Sequence, residues 1–303
     1  MLNNKDIPSW YILGTGAIGT LFAAKLLKQS IPCTLLHRSS DKKMPRHLQI
    51  TNLDNSHQSL PINIDHISSQ LPIERLILCT KSYQSEAAIR SIRGRLTKNA
   101  HIVLLQNGMG QQQSIAKILS SQVIIAATTT QGALLNNPLD VTHTGNGDSV
   151  YGLLNTATTI DNNVCDTLSR IGMQQVTDIN IRLWRKLKIN CVINPLTAMH
   201  NCSNGDIINN AKLYQQVIFL CKEIDDVDKA LKLETHIPIL TQVTAIALAT
   251  ATNYSSMHQD IQHKRRTEID FINGYLQQLA LQHAIKTPLN RQYICDIKAL
   301  EST

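Results

Sequence analysis

The junction Trp10-Tyr11-Ile12-Leu13-Gly14-Thr15-Gly16-Ala17-Ile18-Gly19 constrains this chain more than any other stretch. A short apolar run stops in three glycines spaced G-x-G-x-x-G, and the residues that follow, Ala17 to Lys28, have helix-forming composition with apolar side chains on one face. The spacing says little alone, but it becomes informative between a strand and a helix. There the first glycine permits a tight turn, the second lets the backbone approach a pyrophosphate, and the third lets the helix pack close to the strand. The amides that open the helix then face phosphate. Gly14, Thr15, Gly16, Ala17, Ile18 and Gly19 are therefore expected to cradle a dinucleotide. The alternative is a glycine-rich turn without a ligand, against which the strand-turn-helix placement counts.

The rest of the first half repeats the alternation. Cys33 to His37, Arg75 to Thr80, His101 to Leu105 and Val123 to Thr128 read as buried strands, and Ser85 to Leu96 as a helix between two of them. Alternating strands and helices predict a parallel sheet. Leu134 to Leu153 changes character, with Asn136-Asn137-Pro138 and Gly145-Asn146-Gly147-Asp148 punctuating short strands, and predicts hairpins that close the sheet. After about Asn180 the strand pattern stops and long helical stretches follow, among them Lys212 to Leu233, Pro238 to Thr252 and Met257 to Ala284. At 303 residues two domains are the natural expectation. The fold class expected is an α/β Rossmann-type domain with a mostly parallel sheet over residues 1–180, binding the dinucleotide, and an all-α domain over 181–303 for substrate and catalysis.

A strand that binds NAD ends, roughly 20 residues past the glycines, in a carboxylate for the ribose 2′-hydroxyl. Here it ends Leu36-His37-Arg38-Ser39-Ser40. A guanidinium and two hydroxyls suit a 2′-phosphate, so the cofactor expected is NADPH, with Arg38 at the phosphate. The alternative for Arg38 is an exposed loop charge. Two further strand ends, Cys79-Thr80-Lys81-Ser82 and Gln106-Asn107-Gly108-Met109-Gly110, place polar groups where open parallel sheets bind ligands, although either could be ordinary turn chemistry.

Hydrophobic residues at 43% and charged residues at 17% belong to a globular chain, not a disordered one. The formal net charge of +7 is spread along the sequence, and aromatics at 4% leave little for base stacking, so small anionic ligands are expected and nucleic acid is not. No apolar stretch approaches the roughly 20 residues of a membrane helix, and Met1 to Pro8 lacks a signal-like apolar run. Seven cysteines without a C-x-x-C pair give neither metal nor disulfide spacing, and reduced thiols in a cytoplasmic protein are the reading.

Leu183 to Leu196 is apolar nearly all round, yet Lys186, Asn190 and Asn194 recur every fourth residue. Each step drifts only about 40° on a helix, so an ammonium and two amides share one stripe. A structural network and a ligand site account for that stripe equally well. Arg185 and Lys188 point elsewhere. Asn194-Pro195 reads as an N-cap and first helical residue, predicting a helix that breaks and restarts. Ser256-Met257-His258-Gln259 reads as a capping box opening the next long helix, and its amides could hold a carboxylate. Glu268 lies twelve positions on, about 120° round a straight helix, so spacing alone does not unite it with Ser256.

With the Gly14 motif, Lys81, Asn107-Gly108-Met109-Gly110, Lys186 to Pro195, Ser255-Ser256-Met257-His258-Gln259-Asp260 and Arg266-Thr267-Glu268-Ile269-Asp270-Phe271-Ile272-Asn273-Gly274 in one order along almost the whole chain, the sequence resembles the ketopantoate reductase family. The resemblance implies NADPH-dependent reduction of ketopantoate (2-dehydropantoate) to (R)-pantoate on the route to pantothenate and coenzyme A, in a cleft between a Rossmann domain and a helical one. It implies Lys186 as general acid and Glu268 as a substrate-binding residue. Asn107, Asn190, Asn194 and Ser256 match further substrate-contact positions, as do Asn204 and Asn253; Lys81 and Asn107 match positions near the cofactor, and Arg38 the basic residue at the 2′-phosphate. His200 and Lys264 depart from the family's pattern at its periphery, which bears on substrate tolerance. The alternatives are a related NADP-dependent 2-ketoacid or 3-hydroxyacid reductase and a non-catalytic NADP-sensing protein, monomeric or homodimeric.

Overall fold

Strands buried on both faces need apolar side chains at successive positions. The runs flanking the glycine junction meet that need, with every residue of Trp10–Leu13 buried except Tyr11 and Cys33 to Leu36 buried throughout. The computed structural model describes residues 9–38, 44–154, 159–231 and 238–302. They divide into two compact units, one made of residues up to Gln106 with Gln111–Asn180, the other of Asn107–Gly110 with residues from Ile181 on.

The first unit runs β1 (Trp10–Leu13), α1 (Ala17–Lys28), β2 (Cys33–His37), β3 (His47–Thr51), β4 (His57–Pro61), β5 (Asn63–His66), β6 (Ile73–Leu78), α2 (Ser82–Ile92), β7 (Leu96–Leu104), α3 (Gln111–Ile118), β8 (Val123–Thr129), β9 (Gly132–Asn137), β10 (Asp140–Gly145), β11 (Ser149–Leu153), α4 (Asn162–Arg170) and β12 (Gln174–Gln175). Eight strands form one sheet in the order β12-β11-β8-β7-β6-β1-β2-β5. Every pairing in it is parallel except β11 with β8. β1 lies between β2 and β6, so the winding reverses there, and the carboxyl ends of β1 and β6 flank the crevice where such sheets bind ligands. α1 and α4 cover one face, α2 and α3 the other, each through its own apolar core.

Two expectations are corrected in this unit, and three strands go beyond them. The hairpin β9–β10 does not close the main sheet; it joins β3 and β4 in a second, four-stranded sheet ordered β4-β3-β10-β9. Its Leu139 and Val141, with Leu48 and Ile50, pack into the core that contains Phe22 of α1, so α1 is buried on more than one side. Only β11 returns to the main sheet. β3, β4 and β5 were not expected: β4 is almost wholly exposed, and β3, though Leu48 and Ile50 alternate with polar residues, is only five residues long. The helix expected over Ser85–Leu96 begins at Ser82 and ends at Ile92, since Arg93–Arg95 tightens into a 3₁₀ turn and Leu96 already belongs to β7.

The second unit is helical: α5 (Ile179–His200), α6 (Asp206–Asn209), α7 (Ala211–Leu231), α8 (Ile239–Ala249), α9 (Ser256–Gln262), α10 (Asn273–Gln282) and α11 (Pro288–Glu301). Three helix expectations change here. α5 does not restart at Asn194; it runs unbroken through Pro195, because Asn273 Nδ2 donates at 2.8 Å to the Cys191 carbonyl, the acceptor that lacks a partner when residue 195 has no N–H. The segment Met257–Ala284 is not one helix. α9 stops where Lys264 turns left-handed (φ 51°) and Arg265 N–H donates back to the Asp260 carbonyl at 2.8 Å, a helix-ending pattern. A 3₁₀ turn, Ile269–Phe271, intervenes before α10. The cap of α9 is Ser255, whose Oγ accepts from His258 N–H at 3.1 Å, and Ser256 is the first helical residue. The expected helix end at Leu233 lies outside the described residues.

Candidate functional site

The glycine junction of the first unit is shaped by close backbone approach. Gly14 has φ +111°, and a methyl group there would stand 2.5 Å from the Cys79 carbonyl carbon and 2.6 Å from the Thr80 nitrogen at the end of β6. At Gly19 it would stand 1.9 Å from the Gly14 carbonyl oxygen. Only a hydrogen fits at either place, which draws α1 against β1 and β6. Gly16 differs: nothing lies within 4 Å of where its Cβ would be. It is the N-cap of α1, with no side-chain cap and no acidic residue in the first turn. A helix start with free amides, a positive dipole end and open space above its cap is suited to an anion. The residues fit the pyrophosphate of a dinucleotide.

Around this junction the other expected cofactor residues fall at strand ends. Thr15 and Ile18 are half-buried, as is Ala17. Arg38 follows β2 and is exposed, with its carbonyl in contact with His66 Nε2 at 3.0 Å. Ser39 and Ser40 lie outside the described residues. Lys81, half-buried, is the N-cap of α2, and its carbonyl accepts from Ser85 Oγ at 3.1 Å.

In the second unit Lys186, Asn107 and Glu268 come together, although 79 and 161 residues of sequence separate Asn107 from the other two. Lys186 Nζ donates to Asn107 Oδ1 at 2.9 Å, and Asn107 Nδ2 donates to Glu268 Oε2 at 3.3 Å. The amide thus relays between an ammonium and a carboxylate. Glu268 is 4% exposed, so its charge is held by partners more than by solvent. Burial pushes the Lys186 ammonium down from 10.5 to about 8, against the Glu268 carboxylate, which pulls it up. A lysine in that state can both hold and release a proton near neutrality.

Local contacts explain why these groups meet. Gly108 (φ +76°) allows the loop Asn107–Gly110 to lie on the turn after Glu268: a methyl at Gly108 would be 2.4 Å from the Phe271 carbonyl oxygen, and Met109 N–H donates to that oxygen at 2.9 Å. The Glu268 turn is itself tied down. Thr267 N–H donates to Glu301 at 2.7 Å, and Asp270 pairs with Arg266 at 3.2 Å and Lys298 at 2.6 Å, which hold its carboxyl below the usual range. On the other side of α5, Lys188 is buried against Asp228 at 2.8 Å, and Trp184 Nε1 donates to the same carboxylate at 2.6 Å. Removing one partner of such a pair costs about 3–5 kcal/mol, so it fixes the rotation of α5 against α7.

The remaining expected residues are not joined to that trio by hydrogen bonds among the described residues. Asn190 is half-buried on α5, one turn after Lys186. Asn194 is 4% exposed, and its Nδ2 has no hydrogen-bond partner. Asn204 donates from its backbone to the Asn253 carbonyl at 2.9 Å and from Nδ2 to Thr250 Oγ1 at 2.9 Å, with Oδ1 left unpaired; Asn253 is exposed. Ser256 is exposed at the start of α9. That helix is seated on the end of α5 by Thr197 Oγ1 donating to Ser255 Oγ at 2.7 Å and by His258 Nε2 against Asn201 Oδ1 at 2.8 Å. His200 and Lys264 are exposed. Ser255 and Asn273 stand in the stretches that carry the resemblance but without a role of their own, and Thr197 was not singled out; for Asn273 a signal was Pro195, whose place in an apolar helix demands a donor for the carbonyl four residues earlier.

Among the described residues no group of histidines, cysteines and carboxylates could hold a metal ion, and no helix is long and apolar enough to cross a membrane.

The ketopantoate reductase PanE/ApbA family matches residues 10–156, and its C-terminal family residues 178–301. A 2-dehydropantoate 2-reductase of Vibrio cholerae is 33% identical over 96% of this chain and 97% of its own length. One of Pyrococcus horikoshii is 32% identical with the same coverage. Among solved structures, a PanE/ApbA family ketopantoate reductase from Ralstonia eutropha superposes with a TM-score of 0.86 at 22% identity, covering 97% of this chain and 99% of that one. A D-mandelate dehydrogenase with NADH and anilino(oxo)acetate gives the same TM-score, identity and coverage, a likeness of fold alone. With relatives above 30% identity along nearly its full length, the chain belongs to the ketopantoate reductase family.

Proposed function

We propose that this protein reduces 2-dehydropantoate to (R)-pantoate with NADPH, Lys186 being the general acid and Glu268 a substrate-binding residue. The observation that carries the reading is the relay Lys186–Asn107–Glu268, in which a half-buried ammonium brought to about 8 stands with one carboxylate near. A bound reduced nicotinamide supplies a hydride to the carbonyl carbon of a ketoacid. The negative charge that grows on the carbonyl oxygen needs a cation and a proton, and the Lys186 ammonium offers both. Asn107 holds that ammonium by its Oδ1 without adding charge. Glu268 accepts from the substrate's hydroxyl and steadies Lys186 electrostatically. Asn190 and Asn194 continue the polar stripe of α5, and Asn194 Nδ2 is a buried donor with no acceptor among the described residues. Ser256, with Asn204 and Asn253 near the start of α9, supplies further substrate contacts.

The first unit holds the dinucleotide by its pyrophosphate at Gly14–Gly19, with Lys81 nearer the nicotinamide end and Arg38, exposed after β2, paired with the 2′-phosphate. The relatives named 2-dehydropantoate 2-reductase support the substrate, and the net charge of +7 suits anionic ligands.

The test is NADPH oxidation by the purified protein, with ketopantoate compared against simple 2-ketoacids and NADPH against NADH. Ketopantoate with NADPH is expected to give a kcat/KM at least about tenfold above every other pairing, about 1.4 kcal/mol of discrimination. A preference for simple 2-ketoacids overturns the substrate, and equal use of NADH overturns the role of Arg38.

A further inference from the structure

Pro195 has no N–H, so the Cys191 carbonyl four residues earlier in α5 has no helical donor. Cys191 is fully buried, where water does not replace that donor. Asn273 does, its Nδ2 donating to the Cys191 oxygen at 2.8 Å and to Asn290 Oδ1 at 2.9 Å. Asn290 answers with its own Nδ2 on the Asn273 carbonyl at 3.1 Å, and both asparagines are 0% exposed. The N–H groups of Leu289 and Asn290 at the start of α11 donate in turn to the Glu223 carboxylate of α7, at 2.8 and 2.9 Å. One amide therefore joins α5 to a network anchored on α7, α10 and α11.

Its position along the chain gives this bond a second consequence. Cys191 follows Asn190 and lies little more than one turn past Lys186, while Asn273 is separated from Glu268 by the 3₁₀ turn Ile269–Phe271 and Ile272. The bond links the helix that carries the ammonium to the segment that carries the carboxylate. Had Pro195 been any other residue, α5 could satisfy its own carbonyl and this link would be unnecessary.

We propose that Asn273 is a positioning residue for the reaction: by donating to the carbonyl that Pro195 leaves open, it sets the placement of Lys186 against Glu268 and Asn107. The inference rests on the reading of Lys186 as general acid. It predicts a catalytic cost beyond any loss of stability, and it predicts that the cost depends on residue 195.

Four variants test it, each with thermal unfolding, kcat and KM measured across pH: Asn273→Ala, Pro195→Ala, the double variant, and Lys186→Ala. Asn273→Ala is expected to lower kcat about tenfold or more and to move the alkaline limb of the kcat/KM profile, with KM for NADPH within about twofold. Pro195→Ala restores an N–H for the Cys191 carbonyl, so adding Asn273→Ala to it should cost no more than about threefold in kcat. Parent-like kcat and an unmoved alkaline limb in Asn273→Ala, even with a lower Tm, overturn the proposal. So does an equal loss in both backgrounds. If Asn273→Ala fails to fold, Pro195→Ala and the double variant decide it: a difference under about threefold supports the proposal and one of about tenfold or more overturns it. Full turnover by Lys186→Ala would mean that the functional reading has failed, and the proposal with it. Loss of turnover in Lys186→Ala beside an unaffected Asn273→Ala overturns the positioning role alone.

Discussion

At Lys186 two opposed effects set the affinity for the proton. Desolvation favours the neutral amine and dominates, and the Glu268 carboxylate, reached through Asn107, offsets part of it. The sign of the pH dependence follows. The acid form is the ammonium, so kcat/KM should be flat on the acid side of this group and fall about tenfold per unit as pH rises beyond about 8. Replacing Lys186 by alanine should lower kcat roughly 10²-fold or more and remove that limb, while NADPH binding, followed by fluorescence titration, stays near that of the parent. An alkaline limb that persists in the variant would assign it to another group. At this scale the sequence named the participants but not their arrangement. Lys186 stood out as a cation on an apolar helix, whereas the Asn107 relay joins positions far apart in the chain, and no local pattern encodes that.

Among the elements, the strand-turn-helix junction was legible to the residue: β1 and α1 have the bounds that apolar pattern and glycine spacing gave them. The glycines nonetheless do different work, and substitution should separate them. Gly19→Ala places a methyl 1.9 Å from the Gly14 oxygen, so it should destabilise the fold by about 1–3 kcal/mol or more and lower Tm. Gly16→Ala meets no atom within 4 Å, so Tm should hardly move, while the Kd for NADPH rises about tenfold, or about 1.4 kcal/mol. Calorimetry beside a binding titration checks both; a Gly16→Ala protein with parent-like affinity would remove the pyrophosphate from that cap. Elements whose bounds depend on remote partners were misread. α5 passes through Pro195 because Asn273 supplies the missing bond, and α9 ends early because Lys264 adopts a left-handed turn that composition does not mark. The second sheet escaped notice since β4 is exposed and carries no alternating signal.

The whole molecule carries a formal net charge of +7, with the basic residues spread along the chain. Both proposed ligands are anions, so part of their capture should be long-range and screened by salt. Raising ionic strength from about 0.01 M to about 1 M shortens the screening length from about 30 to about 3 Å, and KM for both ligands should rise several-fold with kcat little changed. Steady-state kinetics over a salt series checks this; a KM that stays constant would mean the surplus charge does not steer them. The sequence by itself determined the alternation of strands and helices, the parallel sheet and the helical remainder, because these follow from periodicity and from glycine's freedom, which act over a few residues. Tertiary structure alone decided that Asn107, in the loop after β7, sits between Lys186 and Glu268, that Pro195 stays helical, and that Ser255 rather than Ser256 caps α9. Each of those outcomes turns on finding a hydrogen-bond partner for a buried or terminal polar group, and where the partner stands far along the chain only the folded packing brings it within reach.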